Sequence, residues 1–251
     1  MLWTFAIPFK VLQGDSKIIA LKYTYLLINF FVVVIPLAFS FHPGIRFYKR
    51  WNSFFPGMMI TAAIFVIWDI IFTRLGVWSF NSSYITGLMI FNLPVEEVLF
   101  FVCIPYACVF TYYCISIFYK GLNKLNVRNP VSIVIILILL FSGIYFHDRL
   151  YSSVTFITAA AFLCYIFYYA KKEWSGRFIV SYVLLLVPFL VSNGILTGFG
   201  LDQPIVRYND QQTTNLRVAT IPIEDFAYSL LLIGINVFTF EHFTKKFSKQ
   251  Q

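Results

Sequence analysis

Polar residues divide the chain into seven long apolar blocks, at residues 20–41, 54–76, 88–119, 131–147, 151–170, 178–198 and 218–240. A helix needs roughly 20 mostly apolar residues to cross the hydrocarbon core of a bilayer, and the blocks cluster around that length. The fourth is the shortest and the third the longest. Apolar residues run continuously within each block, without the period-2 alternation of a membrane barrel strand. The pattern predicts an all-α integral membrane protein of about seven transmembrane helices.

Composition agrees with the pattern. The chain is 59% hydrophobic and 12% charged, with mean hydropathy +0.77, which leaves too few charges to cover a water-facing surface. A net charge of +8 raises nucleic acid as a partner, but its distribution argues against that. With the helices numbered in order, one face receives Arg46, Lys49, Arg50, Lys120, Lys124, Arg128, Lys171, Lys172, Arg177, Lys245, Lys246 and Lys249, or 12 of the 19 basic residues. The opposite face receives Lys10, Lys17, Lys22, Arg74, Arg149, Arg207 and Arg217. Positive charge marks the cytoplasmic side, so the expectation is a multi-pass cell-membrane protein, N-terminus outside and C-terminus cytoplasmic. Cys103, Cys108, Cys114 and Cys164 all fall inside apolar blocks without metal-ligand spacing and are read as packing residues. Residues 1–16 lack a basic stretch ahead of an apolar one, and are read as an interfacial strip or a misassigned start rather than a signal peptide.

The chain also repeats itself. Trp68-Asp69 late in the second block is followed by Thr73, Gly76, Phe80-Asn81 and Asn92-Leu-Pro94-Val-Glu96-Glu97. Asn193 late in the sixth is followed by Thr197, Gly200, Tyr208-Asn209 and Thr220-Ile-Pro222-Ile-Glu224-Asp225. Asn81 precedes Glu96 by 15 positions, as Asn209 precedes Glu224, and Asp69 precedes Thr73 by four, as Asn193 precedes Thr197. Each repeat holds three helices, and the odd fourth helix gives both the same polarity. The repeats are therefore parallel, related by an axis along the membrane normal, and their two acidic motifs are expected to converge on one site at the outer side. The expected divisions are a first repeat over 1–119, a linking helix over 131–147 and a second repeat over 151–251.

The acids are the candidate chemistry. By block boundaries, Glu96 and Glu97 lie about nine residues into helix three and Glu224 and Asp225 about seven into helix seven, roughly 10–14 Å below the helix start. Ionised carboxylates at a helix centre cost about 2.5–3.5 kcal/mol on insertion scales, so at least one acid per pair is expected to be neutral and able to donate a proton. Neighbouring residues point about 100° apart on a helix. One carboxyl of each pair can thus face a cavity while the other braces it or meets another helix. Pro94 and Pro222 remove a backbone donor and free carbonyls that kink the helix or bind the acids. Asp69 and Asn193, at equivalent positions, either orient the acids or bond between helices. Thr73 and Thr197 are read as helix-backbone satisfiers, and Asn81, Tyr208 and Asn209 as loop residues in turn chemistry or in the site.

The 30 Phe, 16 Tyr and 5 Trp serve mostly as lipid-facing or core residues, but an aromatic-lined cavity would suit an apolar polyene and a cationic intermediate. No G-x-G-x-x-G, P-loop or H-E-x-x-H is present, and His42, His147 and His242 are too dispersed for a metal site. No cofactor and no metal are expected. Seven helices with the N-terminus outside suggest a rhodopsin, yet block 218–240 has no lysine for a retinal Schiff base.

The string Ile90-Phe-Asn-Leu-Pro-Val-Glu-Glu-Val-Leu-Phe-Phe101, with Trp68-Asp69 and Gly76-Val-Trp-Ser-Phe-Asn81, closely resembles the heterodimer-type lycopene cyclase family. Asn193-Gly-Ile-Leu-Thr-Gly198 and Ile221-Pro-Ile-Glu-Asp225 resemble the partner subunit of that family, so residues 21 to 243 look like the fused form. The resemblance implies catalytic roles for Glu96, Glu97, Glu224 and Asp225. It implies proton-initiated closure of the linear ends of lycopene, or another linear carotenoid, to β-ionone rings, an isomerisation toward β-carotene. Membrane lipid and other carotenoid-pathway enzymes are the further partners it implies; no nucleic acid is among them. Two alternatives stand beside this: a carotenoid end-group hydratase, which would retain water in the product, and a proton-coupled transporter, which would string acids across the whole bilayer.

Overall fold

The structure, a computed structural model, describes residues 21–119, 121–122 and 125–248. The N-terminal strip 1–16 and the basic residues Lys10, Lys17, Lys120, Lys124 and Lys249 lie outside the described residues. Seven helices follow in order: α1 Thr24–Phe39, α2 Trp51–Arg74, α3 Val95–Phe118, α4 Pro130–Tyr145, α5 Leu150–Cys164, α6 Ser175–Leu196 and α7 Ile223–Ser248. A π turn at Tyr165–Tyr169 extends α5. Five are long and apolar enough to span a membrane, whereas α1 and α4 are shorter apolar helices. At 16 residues each those two reach about 24 Å, short of a core about 30 Å thick.

Helices α3 and α7 form the centre. Helix α1 packs on α3 as α5 packs on α7, and α2 lies along α7 while α6 takes the matching place beside α3. Gly57 permits the close approach of α2 to α7, since a Cβ there would sit 2.6 Å from Oγ1 of Thr239. At the end opposite the acidic motifs, Glu241 of α7 accepts hydrogen bonds from Tyr112 of α3 at 2.6 Å and from Arg177 of α6 at 2.5 Å, tying three helices together.

The loops after α2 and α6 carry the same small structures. Strand β1 (Trp78–Phe80) pairs antiparallel with β4 (Val206–Tyr208), in register Trp78 to Tyr208. One ribbon therefore joins the two repeats and fixes both loops at the same end of the bundle, as parallel repeats require. The hairpins β2 (Met89–Ile90) with β3 (Leu93–Pro94), and β5 (Arg217–Val218) with β6 (Ile221–Pro222), follow. Each turns through a left-handed residue, Phe91 at φ 56° and Ala219 at φ 54°. The hairpin tips are pinned to the preceding helix: Asn92 donates to the carbonyl of Ile70 at 2.9 Å and Thr220 to that of Gly194 at 3.2 Å.

These hairpins correct two sequence expectations. Helix three begins at Val95 and helix seven at Ile223, not at the starts of the apolar blocks, so the acids occupy the first helical turn instead of a position 10–14 Å deep. The α region is disfavoured for a residue preceding proline, and here Leu93 and Ile221 lie in strands paired with the apolar residues before them. Pro94 accordingly stands at the N-cap, with φ −65° and ψ 147°, and Pro222 ends a strand; neither kinks a helix. The acids are buried all the same, because the loops and hairpins fold over them.

Candidate functional site

The first turns of α3 and α7 open onto a common cavity of about 120 Å³, beneath the β1–β4 ribbon. Its polar wall consists of Asp69, Glu97, Asn193 and Asp225 with Tyr25, Tyr151, Tyr208 and Tyr228. Its far wall is apolar, with Ile104, Ala107, Leu232 and Ile233 among its residues.

Four helices assemble the first acid cluster. Tyr25 of α1 donates to Oε2 of Glu97 at 2.7 Å, and Tyr228 of α7 donates to Oδ1 of Asp69 at 2.9 Å. The Asp69 carboxyl, on α2, lies beside that of Glu97. Two neighbouring carboxyl groups resist simultaneous ionisation, so this pair is suited to hold a proton.

The second cluster has the same frame but other chemistry. Tyr151 of α5 donates to Oδ1 of Asp225 at 2.6 Å, while Asn193 of α6 and Tyr208 of β4 donate to Oδ2 at 2.7 Å and 2.9 Å. Three donors converge on this carboxyl and no second acid touches it, an arrangement that favours the anion. Burial, then the charge of Asp225, pushes the Tyr208 phenol well above its ordinary value, so it stays a neutral donor. The repeats differ here by single residues. Asn193 stands where the first repeat has Asp69, and Tyr208 and Tyr228 stand where it has Phe80 and Phe100.

Glu96 and Glu224 turn the other way. Oε1 of Glu96 accepts the backbone N–H of Thr86 at 2.7 Å, and Oε1 of Glu224 accepts Ser152 at 2.6 Å and the N–H of Thr214 at 2.5 Å. Neither lines the cavity; each ties its loop, ten residues upstream, to the head of the helix. Asn81 and Asn209 form a reciprocal clasp between the repeats, Asn81 donating to the carbonyl of Pro204 at 3.3 Å and Asn209 to that of Gly76 at 3.1 Å. Thr197 bonds back to Asn193 at 2.9 Å, satisfying helix backbone.

Aromatic rings roof the acids. Tyr151 stacks on Tyr208 with centroids 5.8 Å apart, and Trp78 meets Tyr151 edge-on at 5.2 Å. Tyr25, Tyr151 and Tyr228 were not singled out by sequence reasoning, and Trp78 entered only within the Gly76–Asn81 string. A signal existed for two of them: Tyr25 lies 72 residues before Glu97 and Tyr151 lies 74 before Asp225, so aligning the first helices of the repeats pairs them. Tyr228 carried no comparable signal among so many aromatics.

Such a site can supply a proton, hold an anion nearby and surround a cation with π faces, within an apolar chamber in the membrane. A family model described as lycopene cyclase matches the chain in two stretches, residues 22–115 and 148–243, well over half its length and one stretch per repeat. No curated protein and no solved structure matches the chain.

Proposed function

This chain belongs to the lycopene cyclase family, and on that premise we propose that it closes the linear end groups of lycopene to β rings by acid–base chemistry. The observation that carries the reading is the unlike pair of acid clusters in one cavity: two neighbouring carboxyls, Asp69 and Glu97, and an Asp225 that accepts three hydrogen bonds.

The reaction needs little more. The carboxylic acid held by Asp69 and Glu97 delivers its proton to C2 of the terminal double bond, leaving a tertiary cation at C1. The C5–C6 double bond attacks it, forming the C1–C6 bond and moving the cation to C5. Loss of the C6 proton to a carboxylate closes the C5–C6 double bond of the β ring, so the protons balance and no electrons are exchanged. Asp225 is the candidate base and counter-ion, and its distance from bulk water strengthens its attraction for the cation. The roof of Trp78, Tyr151, Tyr208 and Tyr228 adds cation–π attraction and excludes water that would trap the cation as an alcohol. Return of the proton from Asp225 to the Asp69–Glu97 pair resets the enzyme.

The test is expression in a lycopene-accumulating bacterium with pigment analysis. Bicyclic or monocyclic β-ring carotenoids are expected, and unchanged lycopene beside a well-expressed protein would overturn the reading. Rings with the double bond elsewhere would keep the cyclase and reject the C6 deprotonation.

A further inference from the structure

The duplication places equivalent positions beside the two acid clusters, and they are filled differently. On α2, Trp68 stacks against Phe65 at 5.9 Å, and both rings meet Tyr228 edge-on, at 5.6 Å and 5.1 Å. These rings fill the space beside Asp69. On α6 the position equivalent to Trp68 is Ser192, since both immediately precede the matching Asp69 and Asn193. Ser192 lines the cavity instead of filling it. Phe189, the counterpart of Phe65, is only half-buried, whereas Phe65 is 1% exposed.

Helix α6 is also shaped to stand off. Pro188 lies within it and cannot donate to the carbonyl four residues back. Ser192 uses its hydroxyl to bond back to the Pro188 carbonyl at 3.0 Å, a pattern that bends helices. The counterpart helix α2 packs far more extensively on α7 than α6 does on α3. Pro188 and Ser192, with Val32 of α1, line the cavity. They are flanked by the outward faces of the two helices: Val187 and Val191 on α6 are 68% and 62% exposed, and Phe31 and Ile35 on α1 are 64% and 63% exposed. In a bilayer those faces meet lipid.

We propose that the gap between α1 and α6 is a lipid-side slot through which one end of a linear polyene enters, and that Ser192 in place of tryptophan keeps it open. The inference rests on the cyclase reading for its substrate and goes beyond it in assigning the route. A C40 chain is longer than the chamber is wide, so its unreacted half stays in the slot and the bilayer. One end group is processed per visit, and a two-ring product requires release and re-entry.

The experiment uses the full-length protein in liposomes carrying lycopene. Ser192→Trp should lower ring formation about 100-fold with the melting temperature kept, while Val191→Trp, which adds the same bulk on the lipid face, should match the parent. Parent-level turnover by folded Ser192→Trp would overturn the slot. If that variant does not fold, Ser192→Cys decides. Alkylation by a bulky lipophilic maleimide should be slowed by lycopene relative to the native cysteines of the parent, and unslowed labelling would overturn the proposal. That readout needs no turnover. If the parent makes no ring, the cyclase reading fails while protection of Ser192→Cys still supports the slot.

Discussion

Tyr151 donates a 2.6 Å hydrogen bond to Asp225 from the first turn of α5, and Tyr25 of α1 repeats the relationship with Glu97 at 2.7 Å. On the proposed mechanism the same phenol serves an anion in one repeat and a proton-holding acid in the other. A hydrogen bond to a charged group contributes about 1.5–3 kcal/mol. Tyr151→Phe should lower turnover about 10- to 100-fold, with Tyr25→Phe costing less. Rates in liposomes, with melting temperatures to confirm folding, test this; equal and small losses would count against the unequal roles.

The acids within each motif should separate. Glu97→Gln and Asp225→Asn are expected to abolish ring formation without loss of membrane insertion. Glu96→Gln and Glu224→Gln keep an oxygen for the loop N–H but place an amide where Oε2 has no partner. They should cost about 1–3 kcal/mol of stability and retain measurable turnover. A dead yet fully stable Glu224→Gln protein would give Glu224 a part in the chemistry.

Asp69→Asn converts the first cluster into a likeness of the second. The new amide would donate to Glu97 and remove the shared proton, so turnover should fall to background. The infrared carbonyl band of a protonated carboxylic acid, expected in the parent, should vanish with it. Persistence of that band in Asp69→Asn would place the proton elsewhere.

The clasp is structural. Removing the side chain at Asn81 or Asn209 takes away a cross-repeat bond and a turn cap, at a cost of about 1 kcal/mol each. Thermal unfolding of Asn81→Ala and Asn209→Ala should show similar decreases. Unchanged melting would mean the β1–β4 ribbon holds without them.

Topology can be tested on two exposed loop residues, Glu173 and Gln203. A membrane-impermeant maleimide should label Gln203→Cys in intact cells and Glu173→Cys only after permeabilisation. Labelling of both from one side would break the parallel arrangement.

The apolar blocks and the two matching motifs carried the helix count, the repeat and the family by themselves, because burial in lipid leaves its mark on every residue of a span. Asp69, Glu97, Asn193 and Asp225 were legible as candidates for the same reason: a charged or amide group in such a block is costly and stands out. Direction was not legible. Whether Glu96 or Glu97 faces the cavity depends on where the helix starts, and hairpins that pair apolar residues as strands shift that start by seven positions, from 88 to 95. Nor could the sequence distinguish Tyr25, Tyr151 and Tyr228 from other aromatics, since a phenol becomes a donor to an acid only when another helix brings the acid within about 3 Å. The difference between the clusters was decided in the same way. Asp69 lies beside Glu97 and Tyr208 reaches Asp225 because α2 and the β1–β4 ribbon are held against α3 and α7, and the proposed protonation rests on that placement rather than on residue type.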